Sequence, residues 1–127
     1  MKCLIDAYAW VEYFEGTEKG LKVKKIIDNP QNSIFSSVLT IAEMASKAKR
    51  SGKDAEEIIA AIFSLSSIVY VTDAIAMQAG LIHAEKRRTI KDFGLIDAFL
   101  LAHSQNENFA VVSGDKHFKG IKNAMLI

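Results

Sequence analysis

Short apolar runs recur along this chain, each followed by a stretch with helical periodicity. Lys2–Asp6, Ile68–Val71 and Phe109–Val112 are such runs, and Ser33–Ser36 reads as a further short strand. Short continuous apolar runs suit strands covered on both faces, as in a parallel sheet. The intervening segments carry the helix pattern. Ala7–Phe14 places Trp10, Val11 and Phe14 at helical spacing, and Glu18–Asp28 sets Leu21, Val23, Ile26 and Ile27 among lysines. Asn29-Pro30 breaks the chain before the second strand. Helices are predicted over Val38–Arg50, from the Asp54–Glu57 cap signal through Leu65, from Thr72 or Asp73 to about Arg88, and from Gly94 to about Asn106. Lys116–Lys122 reads as a turn or short helix and Ala124–Ile127 as a terminal edge strand. This alternation argues for an α/β fold with a mainly parallel sheet. No repeat or composition break divides residues 1–127, so one domain is expected.

Composition excludes several classes. The apolar runs fall well short of the roughly 18–20 residues that span a bilayer. Asp6 interrupts the N-terminal run, which does not suit a signal peptide, so a cytoplasmic protein with no membrane contact is expected. Cys3 is the single cysteine, which rules out an internal disulfide and a cysteine zinc site. The net charge of +1 does not describe a protein that coats nucleic acid through charge alone. The cations are clustered, however, at Lys22–Lys25, Lys47–Lys53, Lys86–Lys91 and Lys116–Lys122. Each cluster reads first as a solvated face, and together they leave room for a local basic rim.

The acids carry the functional signal. Asp97 stands alone in the apolar stretch Gly94–Ala102, and no Lys or Arg occurs between Lys91 and Lys116. Burying an unpaired carboxylate is costly, so its partner must come from elsewhere in the fold or from solution. Asp6 ends the first strand and serves equally well as a helix cap or a site residue. Glu43 stands three residues after Thr40, the capping-box spacing, and four before Lys47, an ion-pair spacing. Asp115 follows a buried-type strand in Ser-Gly-Asp, which also reads as a turn. The argument is collective. Asp6 and Asp115 fall at the carboxyl ends of predicted parallel strands, and Glu43 and Asp97 lie near the starts of helices that follow loops on that same edge. Carboxylates gathered without basic neighbours repel one another, and a hard cation such as Mg²⁺ or Mn²⁺ removes the repulsion. Such an ion activates water and stabilises a leaving oxygen, which suits phosphodiester cleavage.

Other chemistries fit less well. There is no Gly-rich phosphate loop or dinucleotide fingerprint. His83, His103 and His117 lack zinc spacing; His103 and His117 could approach the site, but a surface or core position is the first reading of each. Ser113 reads as a turn serine with a possible hydrogen-bonding role beside the acids.

Four motifs in order resemble a PIN-domain protein of the VapC toxin type over essentially the whole length. They are Leu4-Ile-Asp6-Ala-Tyr-Ala-Trp10, Ser37-Val-Leu-Thr-Ile-Ala-Glu43, Gly94-Leu-Ile-Asp97-Ala, and Val112-Ser-Gly-Asp115-Lys-His-Phe118. The resemblance implies a three-layer α/β sandwich and a Mg²⁺-dependent ribonuclease, with Asp6, Glu43, Asp97 and Asp115 as metal-binding carboxylates. It also implies an RNA substrate, a homodimer, and an antitoxin partner whose tail enters the active-site groove. Ala7 and Tyr8 depart from the family, many of whose members carry a hydroxyl there that supports the first acid. Asp92 is an extra acid, either a loop residue or a fifth contributor, and the loop is the first reading. A phospho-acceptor domain and a catalytically silent nucleic-acid-binding module are the alternatives.

Overall fold

The computed structural model describes every residue from Met1 to Ile127. Its strands are β1 (Lys2–Ile5), β2 (Ser33–Ser37), β3 (Ser67–Val69), β4 (Ala110–Ser113) and β5 (Ala124–Leu126). Its helices are α1 (Ala7–Glu15), α2 (Glu18–Asp28), α3 (Val38–Arg50), α4 (Ala55–Leu65), α5 (Asp73–Arg87) and α6 (Leu95–Glu107). The sheet order is β3-β2-β1-β4-β5 and every pairing is parallel, so the mainly parallel sheet is wholly so. β1 is the centre, with Leu4 opposite Phe35 on one side and Val111 on the other.

Side-chain alternation along β1 and β4 divides the core into two layers. Leu4 and Val111 face one layer, where they meet Ala79 of α5 and Ala98, Leu101 and Ala102 of α6. Cys3, Ile5 and Val112 face the other, against Trp10 of α1, Val23 of α2, Met44 of α3 and Ile62 of α4. Helices therefore cover both faces, and the three-layer sandwich is present. Fully buried Trp10 carries a polar tip that has to be satisfied. Its indole N–H donates to Ser36 Oγ at 2.9 Å, Ser36 Oγ lies 2.9 Å from Ser66 Oγ, and the Ser66 hydroxyl donates to the Ile62 carbonyl at 2.8 Å. α1 and α2 meet closely because residue 20 is glycine: a Cβ there would stand 2.0 Å from the Glu12 carbonyl oxygen.

The strand order positions the site. From β1 the chain builds outward through β2 and β3, then returns to place β4 and β5 on the opposite side of β1. The crevice at the carboxyl ends of β1 and β4 is thus the topological switch point, where open α/β sheets build their binding sites. Asp6 follows β1 there, and Asp115 follows β4 two residues on.

Candidate active site

Asp6 caps α1. Its Oδ1 accepts the Ala9 N–H at 2.8 Å, and its own N–H is held by the Val112 carbonyl at 3.1 Å. Only 4% of Asp6 is exposed, and burial pushes its carboxyl up to about 7. Hydrogen bonds from Ser113 and Ala9 oppose that rise, and the charges of Asp97 and Glu43 add to it. The Ser113 hydroxyl also accepts the Asp115 N–H at 2.9 Å, so it ties the first acid to the loop of the last.

Glu43 sits in the second turn of α3. The cap of that helix is Ser37, which accepts from the Leu39 N–H at 3.1 Å. Thr40 is fully buried with its hydroxyl unpartnered, so the capping-box reading of Thr40 and Glu43 does not hold. Glu43 is raised by burial and then by the charge of Asp97, with Lys47 pulling the other way.

Asp97 occupies the first turn of α6, whose N-cap, Gly94, has no side chain to offer. The carboxylate lies back over that glycine, where a Cβ would approach its Oδ2 to 3.4 Å. Burial raises it to about 6 and the charge of Asp115 adds to this, against the pull of His117 and the Gly94 N–H. Asp97 is the hub of the group, since its charge acts on Asp6 and Glu43 and it feels that of Asp115. None of these four acids forms an ion pair with a Lys or Arg; those pairs are Lys24–Asp28, Lys53–Glu15 and Arg88–Glu85.

The 3₁₀ turn Lys116–Phe118 is capped by Asp115, whose Oδ1 accepts the His117 N–H at 2.9 Å. This turn carries a residue that the sequence reading set aside. His117 Nδ1 lies 3.2 Å from Asp115 Oδ1 and 3.8 Å from Asp97 Oδ2, and Nε2 lies 3.1 Å from Asp92 Oδ1. Asp97, Asp115 and His117 each offer a ligand atom, all within 4.8 Å of one another. Asp6 and Glu43 reach this group through their charges, from the sides of β1 and α3. His103 is a core residue, bonded through Nδ1 to Glu107 at 2.9 Å.

The model of the PIN domain family matches residues 3–124. The chain belongs to the PIN domain family. Its fold is similar to that of VapBC2 from Rickettsia felis, solved bound to a promoter DNA fragment, at a TM-score of 0.76. The two are 19% identical over 100% of this PIN domain and 98% of the other chain. A toxin–antitoxin complex from Klebsiella pneumoniae matches at a TM-score of 0.72 and 24% identity, over 97% and 95% of the two chains. Mycobacterium tuberculosis VapC20, a sarcin–ricin loop cleaving toxin, matches at 0.74 and 17%, over 94% and 95%. No curated protein sequence matches significantly. No helix of this PIN domain is long and apolar enough to cross a membrane.

Proposed function

We propose that this PIN domain is a metal-dependent endoribonuclease and the toxin of a toxin–antitoxin pair. The observation that carries the reading is Asp97, a carboxylate held among three others with no Lys or Arg to balance it. The donor set is mostly carboxylate oxygen, which fits a hard divalent cation. Asp97 and Asp115 would hold the ion directly, with Asp6 and Glu43 completing the shell directly or through water. Mg²⁺, or Mn²⁺ in its place, would supply an activated water and offset charge on the leaving oxygen.

The chain's own residues prepare that chemistry. Ser113 and the Ala9 N–H fix the orientation of Asp6. Glu43, with its raised affinity for a proton, is suited to take one from the attacking water. Lysines on the rim, Lys47 beside Glu43 and Lys116 beside Asp92, would hold the RNA backbone. Likeness to the Klebsiella toxin–antitoxin complex supports an antitoxin partner, and likeness to the sarcin–ricin loop cleaving toxin supports RNA as substrate; a homodimer rests on the family resemblance alone.

A phospho-acceptor role fits Asp6 poorly, because its Oδ1 is committed to the Ala9 N–H and the residue is closed to solvent. The test is incubation of tag-free protein with structured RNA, with Mg²⁺ or Mn²⁺ and with chelator. Cleavage that needs the ion supports the reading, and cleavage unchanged by chelator contradicts it.

A further inference from the structure

We infer that His117 is a metal ligand through Nδ1, oriented by Asp92, and that this nitrogen shifts the site's preference from Mg²⁺ toward Mn²⁺. The inference rests on the metal-site reading above and names the ion that site selects.

The ring is held on three sides. Its Nε2 meets Asp92 Oδ1 at 3.1 Å, and that hydrogen bond holds the Asp92 carboxyl below its ordinary range. The Phe93 ring stands edge-on to it with centroids 5.7 Å apart. Only 11% of the side chain is exposed. A carboxylate only accepts, so Nε2 carries the proton and donates it to Asp92. A cation binding at Nδ1 would displace any proton there and leave the Nε2 proton on its bond to Asp92. Nδ1 is sealed from solvent and has no hydrogen-bond partner. Asp115 Oδ1 lies 3.2 Å away but outside hydrogen-bonding geometry, and Asp97 Oδ2 is 3.8 Å away. Nδ1 and the two carboxylates thus converge, each offering a ligand atom within 4.8 Å of the others. A histidine whose far N–H is held by a carboxylate, leaving its near nitrogen for a cation, is the usual arrangement of a ligating imidazole.

Nitrogen ligation changes the choice of ion. Mg²⁺ is held almost wholly by oxygen, so of the two ions Mn²⁺, the first-row transition metal, tolerates an imidazole nitrogen better. Asp92 thereby gains a role outside the acid group, as the positioning residue for the ring.

The test is pulsed electron paramagnetic resonance on tag-free, Mn²⁺-loaded protein. The expected result is a nitrogen hyperfine coupling that changes when histidine is labelled with ¹⁵N, which needs no variant. His117→Gln removes that coupling and lowers the Mn²⁺-over-Mg²⁺ affinity ratio by about tenfold or more. Asp92→Asn, at an exposed position, keeps the coupling and weakens Mn²⁺ binding by about tenfold. Mn²⁺ bound with no nitrogen coupling overturns this inference and leaves the nuclease reading standing. No Mn²⁺ binding at all overturns both.

Discussion

The two ends of the sheet treat charge in opposite ways. At the amino end, cations are met by carbonyls. The Met1 amino group donates to the Gln31 carbonyl at 3.0 Å, and Lys2 Nζ donates to the Glu107 carbonyl at 2.7 Å while lying 4.3 Å from the Phe109 ring centroid. At the carboxyl end, Asp6, Glu43, Asp97 and Asp115 gather without a Lys or Arg partner, and burial with mutual repulsion raises three of them. One end is arranged for stability. The other carries electrostatic strain that a bound cation would relieve, as the proposed metal site requires.

Substituting the hub acid breaks the comparison most sharply. Asp97→Asn removes the charge that strains the group and, on the proposed reading, a metal ligand. Cleavage of RNA is expected to fall by at least about 10²–10³-fold, the size seen when one group that stabilises transition-state charge is removed. The ion-free variant should melt above the wild type. A variant that loses activity and stability together would mean that Asp97 acts mainly as a structural residue.

Adding the ion gives the next largest effect. Mn²⁺ at about 100 times its dissociation constant should stabilise the protein by about 2.7 kcal/mol, seen as a rise in Tm. The rise should be smaller near pH 5, where protons occupy the same carboxylates. Equal shifts at both pH values would place the binding elsewhere on the surface.

The ion-free protein should also lose stability as pH rises. Asp6 and Asp97 hold their protons in the native state up to about 7 and about 6, against an ordinary 3.8. Between about pH 4 and 7 the native state therefore binds more protons than the unfolded chain, and unfolding free energy falls with pH across that window. The fall levels off above about pH 7. Thermal melts in chelator across this range check both sign and window.

The smallest effect belongs to the amino end. Lys2→Ala gives up one charged donor to a carbonyl and one contact with an aromatic face, together about 0.5–1.5 kcal/mol in urea unfolding. RNA cleavage should be unchanged.

Much of the framework was legible in the sequence for local reasons. α2 and α3 begin and end where predicted, because Thr17 and Ser37 cap them and their apolar residues keep helical spacing. β3 is shorter than its apolar run. It lies at the edge of the sheet and stops at Val69, leaving Tyr70 70% exposed. The four acids were legible as a group because strand ends and helix starts share one sheet edge. His117 was not. It joins the site only when the turn after β4 folds across the start of α6, a contact between distant segments that no local spacing encodes. The one available signal was its place two residues after Asp115, on the turn that this acid caps. Asp92 reads as a loop residue rather than a fifth contributor because its partner, His117, lies 25 residues away.

The central claim is that the carboxyl edge of the sheet is a divalent-cation site centred on Asp97. Isothermal titration of Mn²⁺ into the ion-free protein at about pH 6.5, in buffers of differing ionisation enthalpy, tests it most directly. Saturable binding with proton release is predicted, because the ion displaces protons that the raised carboxyls hold at that pH, and Asp97→Asn should abolish it. Binding of equal strength in Asp97→Asn, or no saturable binding by the wild type, would contradict the account.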